Sequence, residues 1–152
     1  MYGWLPLAWI ALLACGSSSS TSCDAPGTQV SNPRAAGCLT VLDKKLLMVQ
    51  ASDGRWSIPG GYVDPGESSS AAAMRETMEE AGVVVSAGAP ACAAVRTQFV
   101  AHRCKVVGDP KPRPDGEETR DAKFFDAAAI RALPDEALRF PVQRAAYLRM
   151  LE

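Results

Sequence analysis

Between Gly61 and Val83 the chain reads GYVDPGESSSAAAMRETMEEAGV, and this stretch constrains the fold more tightly than any other. Asp64-Pro65-Gly66 is turn chemistry, because proline presets φ and glycine accepts left-handed backbone. From Ser68 to Ala81 the composition, rich in Ala, Met, Arg and Glu, predicts a helix. Gly82 then fits a left-handed C-terminal cap. On such a helix Glu76, Glu79 and Glu80 stand at offsets of three and four and share a face. Like charges so placed repel by about 0.2–0.5 kcal/mol per pair, and a purely structural helix gains nothing from them. A hard cation reverses the sign, since Mg2+ takes oxygen ligands and is held by one or two carboxylates with waters and substrate phosphates. Arg75, four residues before Glu79, is placed to pin a carboxylate or to reach a phosphate oxygen. Glu67 extends the anionic patch, and Gly60-Gly61 lets the backbone come close and offers a carbonyl with no side chain in the way. A solvated acidic helix face would account for the Glu79-Glu80 pair alone, but not for the whole spacing.

The remainder of the chain fits one domain. It has 152 residues, 47% of them hydrophobic, and a formal net charge of -1. That length buries a core without staples. The charge balance excludes a nucleic-acid polymer as the main partner, because phosphate tracking needs a basic excess. A small nucleotide-like ligand needs only a local site.

The N-terminus differs in kind. Met1 to Cys15 carries no charged side chain, and the first charged residue is Asp24. The run is short for a bilayer span, which takes about 20 residues, and suits the apolar part of a secretory signal. Leu12-Leu13-Ala14-Cys15-Gly16 resembles the lipobox of bacterial lipoproteins, in which the cysteine is lipidated. The organisation expected is a signal-like segment over residues 1–15, a flexible linker over 16–33 and a folded domain over 34–152, with the domain facing the periplasm or cell exterior. One departure is the absence of Lys or Arg ahead of the apolar run. A start lying further upstream would supply it; a buried N-terminal element in a cytoplasmic protein is the other reading.

With Cys15 set aside, Cys23, Cys38, Cys92 and Cys104 remain. Four cysteines allow three pairings. Cys92 and Cys104 are equidistant from Gln98, so a hairpin turning there predicts that they face each other; the alternative is four small buried hydrophobes. Their spacing fits no zinc motif, and His102 is the single histidine.

Along the chain, Ala36–Val41 and Leu46–Gln50 read as a hairpin, and Trp56–Ile58 as a short strand stopped by Pro59-Gly60-Gly61. Val83–Val85 is a strand. Cys92–Arg96 and Phe99–Val107 form a second hairpin. Asp109–Glu118, with its prolines, is a loop, and Ala122–Phe125 a last strand. Asp126 caps a short helix ending near Leu133, and Pro141 opens a helix running to Met150. His102 reads as a surface residue on a strand and Trp56 as core. Lys44, Lys45, Arg96 and Arg103 are scattered cations of the solvated kind, with phosphate contact as the sharper reading.

The acidic segment resembles the Nudix box: Gly, five residues, Glu, seven residues, Arg-Glu, an apolar residue, any residue, Glu-Glu, any residue, Gly, apolar. Gly61, Glu67, Arg75, Glu76, Glu79, Glu80, Gly82 and Val83 all fall in place, and Thr77 in an apolar slot is the soft departure. Seven fixed positions match by chance on the order of once in 10^8 windows. The resemblance covers about Arg34 to Glu152. It implies an α/β fold, an α/β/α sandwich around a mixed β-sheet. It implies hydrolysis of the diphosphate linkage in a nucleoside diphosphate joined to another group, with Mg2+ or Mn2+. It gives metal-ligand places to Glu79, Glu80 and the Gly60 carbonyl, a ligand or base place to Glu76 with Arg75 orienting it, and a further ligand place to Glu67. The base varies across this family and sometimes lies in a later loop, where Glu117 and Glu118 are the residues available. The substrate class is open. The rival readings are a non-catalytic module binding a nucleotide-like ligand and a purely structural surface lipoprotein.

Overall fold

The computed structural model describes Cys23 and residues 28–152. The elements run β1 (Ala35–Leu42), β2 (Lys45–Ala51), β3 (Trp56–Ser57), β4 (Gly60–Tyr62), α1 (Ser69–Ala81), β5 (Val85–Ala94), β6 (Phe99–Val106), β7 (Thr119–Phe125), α2 (Ala127–Ala132) and α3 (Arg144–Arg149). The apolar segment and lipobox, and the linker up to residue 27 apart from Cys23, lie outside the described residues.

The strands form a seven-stranded sheet whose main path is β3-β2-β1-β6-β5, with β4 paired to β1 and β7 to β2. β1 and β6 run parallel, from Ala35 opposite Phe99 to Thr40 opposite Cys104. The other pairings are antiparallel, so the sheet is mixed. Strand β2 shows why it is covered on both faces. Leu46, Leu47, Met48 and Val49 are all buried, and successive side chains of a strand point to opposite sides. Leu47 and Val49 pack with Ala72, Ala73 and Ala81 of α1. Leu46 and Met48 pack with Ile130, Leu138 and Tyr147 of the C-terminal segment. Each such side chain contributes about 1.5–3 kcal/mol when fully buried. The result is an α/β/α sandwich.

Helix α1 meets the sheet through alanines, which keep its backbone close to β1 and turn its acidic face toward β4. The Ser68 hydroxyl caps it, accepting from the Ala71 amide. Thr77, in the apolar slot, is fully buried, and its hydroxyl donates to the Ala73 carbonyl at 2.7 Å. The methyl packs while the polar atom is satisfied within the helix. Gly82 ends α1 at φ 64, its amide donating to Met78. A Cβ there would collide with the Arg113 carbonyl, and the Arg113 amide donates to the Ala81 carbonyl at 2.7 Å. The Asp109–Glu118 loop is therefore docked on the C-terminal end of α1.

The sequence reading needs four local corrections. Pro59-Gly60-Gly61 does not simply stop a strand; Gly60–Tyr62 pairs with Ala35–Gly37 as β4. Val83–Val85 and Cys92–Arg96 are not separate strands. Val85–Ala94 is continuous, with register shifts either side of Pro90, and Arg96 lies in a 3-10 turn over Val95–Thr97. Proline cannot donate to a ladder, and bulges absorb it. Pro141 opens a 3-10 turn that passes into α3 at Arg144. His102 is 5% exposed, not at the surface. Its Nδ1 lies 2.9 Å from the Gly88 carbonyl and its Nε2 3.0 Å from the Ser69 hydroxyl.

The expected Cys92–Cys104 pairing is also wrong. Cys23 is bonded to Cys92, and Cys38 to Cys104. The β5–β6 hairpin turns through Val95–Gln98 and is not centred on Gln98, so Cys92 faces Ala101. Cys104 instead lies beside β1 through the parallel β1–β6 register, close to Cys38. Among the described residues no helix is long and apolar enough to cross a membrane.

Candidate functional site

The site forms where α1 faces β4. Gly37 of β1 lies opposite Gly60 of β4. A Cβ on Gly60 would sit 2.6 Å from the Ala36 carbonyl and 2.7 Å from the Gly37 Cα, and one on Gly37 would sit 2.6 Å from the Pro59 carbonyl. Real Cβ atoms do not approach so closely, so both positions exclude side chains. This close pairing brings the β4 backbone under the helix. Gly61 is constrained from the other side: a Cβ there would lie 2.5 Å from the Glu76 carboxylate. Gly37 was missed in the sequence, because nothing local marks a glycine whose neighbour is 23 residues away in the register.

Arg75 organises the carboxylates. Its Nε and Nη2 donate to the two oxygens of Glu67 at 3.0 and 2.9 Å. Its Nη1 donates to Glu76 at 2.8 Å and to Glu79 at 3.1 Å, and Nη2 also reaches the Tyr62 carbonyl at 3.0 Å. The planar guanidinium fork suits such multiple acceptance. Glu67, beside this charge, is held below the usual carboxylate range. Glu76 behaves differently: burial lifts its carboxyl above that range, against the stabilising bond from Arg75.

Glu80 sits apart from the guanidinium. Its Oε2 accepts from the Gly60 amide at 2.9 Å. Burial pushes its pKa up to about 7, the Gly60 amide opposes this, and the Glu76 charge adds to it. The charges of Arg139 and Glu118 also reach it. Glu118 is therefore in electrical contact with the site from the Asp109–Glu118 loop. Glu117 is exposed, its amide bonded to Asp115 at 3.0 Å.

The expected Gly60, Glu67, Arg75, Glu76, Glu79 and Glu80 thus come together. Lys44, Lys45, Arg96 and Arg103 are exposed and make no contact with this cluster among the described residues. Trp56 is core, 4.8 Å edge-on from Phe125 with the Lys123 ammonium 4.6 Å above its ring. Among the described residues no three acidic, histidine or cysteine side chains converge as a ready metal cage. The cause is visible: Arg75 draws Glu67, Glu76 and Glu79 to itself, and Gly60 draws Glu80 away. The donor chemistry still suits a hard divalent ion, which needs only one or two protein carboxylates when waters and phosphates complete its shell.

A NUDIX domain profile matches residues 31–145. The chain belongs to the Nudix family. The relatives agree with that placement. Over 44 residues it is 50% identical to the bis(5'-nucleosyl)-tetraphosphatase (asymmetrical) of Rattus norvegicus, a match covering 28% of this chain and 30% of the relative. The matched part is thus under a third of that protein. An ADP-ribose pyrophosphatase structure from Streptococcus suis superposes with a TM-score of 0.63 at 27% identity, covering 77% of this chain and 87% of the other. A Nudix hydrolase from Nitrosomonas europaea gives a TM-score of 0.64 at 22% identity over 81% and 72% of the two chains, a likeness of fold alone.

Proposed function

We propose that this Nudix chain hydrolyses a diphosphate linkage in a nucleoside diphosphate joined to another group, by attack of water at phosphorus. The observation that carries the reading is the placing of Glu80 on the Gly60 amide and of Glu76 against Gly61, at a backbone free of side chains, with Arg75 spanning Glu67, Glu76 and Glu79. When bound by Glu79, Glu80 and the Gly60 carbonyl, with Glu76 or Glu67 beside them, Mg2+ or Mn2+ supplies charge to the diphosphate oxygens and acidity to a water. Arg75 fixes the Glu76 and Glu67 rotamers. The Gly60 amide aims Glu80. A carboxylate accepts the proton of the attacking water; Glu76 serves from the helix, and among the loop residues Glu118 has the better support, since its field reaches Glu80.

The test is release of phosphate or nucleotide from a panel of diphosphate compounds, including ADP-ribose, nucleotide sugars and dinucleoside polyphosphates. Turnover of one class with Mg2+ or Mn2+, abolished by EDTA, is the expected result. Silence across the panel from folded protein would refute hydrolysis of these compounds and favour a ligand-binding module.

We also propose an exported, lipid-anchored setting, with residues 1–15 as signal, 16–33 as tether and 34–152 as the Nudix domain. Two disulfides support the export, because such bonds persist in oxidising compartments. Cys15→Ser is expected to move the full chain out of the membrane fraction; unchanged fractionation would remove the anchor.

A further inference from the structure

Beside the carboxylates lies a cavity of about 580 Å³ that the Nudix box alone does not explain. Its size falls in the range of small-molecule pockets. One wall is the β4 backbone, Gly60 and Gly61, with Tyr62 at its edge. Ile58 and Phe99 line it too, and Arg139 and Phe140 stand in the facing wall. The cavity therefore shares Gly60 and Gly61 with the acidic site and runs outward from it.

Arg139 is held here by its backbone. Leu138 bridges to Trp56, and the Arg139 amide donates to the Trp56 carbonyl at 2.9 Å. Its side chain is exposed and makes no hydrogen bond or ion pair among the described residues; its guanidinium carbon lies 5.7 Å from the Phe140 ring centre. Asp53, whose carboxylate feels the Arg139 charge, is already bonded twice by Arg55. An unpaired guanidinium in an otherwise largely apolar cavity wants an anion, and its planar fork fits phosphate oxygens. Tyr62 and Phe140 are 79% and 45% exposed. Exposed aromatic rings lining a cavity offer faces on which a flat ring stacks, the Arg139 guanidinium taking up one side of Phe140.

We propose that Arg139 binds the phosphate on the nucleoside side of the scissile diphosphate, while Tyr62 and Phe140 receive the nucleobase. This rests on the hydrolase reading above, and it assigns the specificity pocket that reading leaves open. The phosphate then lies between Arg139 and the acidic cluster, and the base points away from the helix along the cavity. Glu80 already feels the Arg139 charge, which is consistent with one substrate spanning both.

The experiment compares binding with turnover in the full chain. Binding of α,β-methylene-ADP, whose bridge resists hydrolysis, and of methylenediphosphonate, which has no base, is measured by calorimetry with Mg2+. Arg139→Ala is expected to weaken both on the order of tenfold or more, with Arg139→Lys recovering part. Phe140→Ala is expected to weaken α,β-methylene-ADP only. Thermal melts of the variants should match the parent, because neither side chain is buried. Unchanged binding in Arg139→Ala, an equal loss of both probes in Phe140→Ala, or no binding by the parent would overturn the assignment. Turnover separates the two readings. A parent that hydrolyses the panel with the same KM as Arg139→Ala keeps the hydrolase and loses this pocket. A parent inert on the panel, but binding the probe through Arg139, loses the hydrolase and keeps the pocket.

Discussion

Glu80→Gln should lower turnover on the order of 10^3-fold and at the same time make the metal-free protein more stable at pH 8. The first effect follows from the proposed role of Glu80 as a charged metal ligand, since an ion bound there would supply several kcal/mol to the transition state, each 1.36 kcal/mol being tenfold in rate. The second follows from burial. Burial lifts the folded carboxyl to about 7, above its ordinary value of 4.5. The stability this gives is complete below pH 4.5 and disappears as pH rises through about 7. Above that, the native state carries a buried carboxylate that the Gly60 amide compensates only in part, which costs on the order of 3 kcal/mol. Gln keeps an oxygen to accept from the Gly60 amide without the charge. Denaturant titrations in EDTA should therefore show the variant above the parent at pH 8, with the difference shrinking as pH falls toward 4.5. A variant less stable than the parent at pH 8 would show that Glu80 is not strained by burial, and near-normal turnover would remove it from the machinery.

The largest stability change should come from the buried Cys38–Cys104 bond. It joins β1 to β6 across a sequence separation of 66 residues, inside the core beneath α1. Breaking a native disulfide of this kind costs about 2–5 kcal/mol. The double change Cys38→Ala with Cys104→Ala should lower the denaturation midpoint strongly, and the loss should spread to activity because β1 carries Gly37, against which Gly60 packs. The parent should fall toward the variant once reduced under denaturant and refolded. A variant as stable as the oxidised parent would mean that packing alone holds β1 on β6.

The acidic site was legible because its parts lie within one turn and one helix. Arg75, Glu76, Glu79 and Glu80 are related by helical spacing and Glu67 lies in the turn just before the helix, and spacing is a local property of sequence. The unbroken apolar run Leu46–Val49 marks a strand covered on both faces, although on its own it was legible only as half of a hairpin. What escaped depends on register. Gly37 acquires its role only when β1 pairs with β4. The cysteine partners hinge on where the Val95–Gln98 turn falls, and the bulges at Pro90 shift every residue beyond them. His102 looked exposed because its polarity was read without the Gly88 carbonyl and Ser69 hydroxyl that satisfy it. Arg139 sits outside the family pattern, and only the Trp56–Leu138 bridge carries it to the cavity.

The Cys23–Cys92 bond has a mechanical consequence. In a chain hung from its N-terminus, tension travels along the covalent path. With the proposed tether, that path would leave at Cys23 and enter the domain at Cys92 on β5, bypassing residues 24–34 and the start of β1. A pull on the proposed anchor would load the β5–β6 hairpin at the margin of the sheet, while the start of β1, against which Gly60 packs, remains slack. If the proposed anchor holds, the domain is moored by its edge and the acidic site lies out of the line of force.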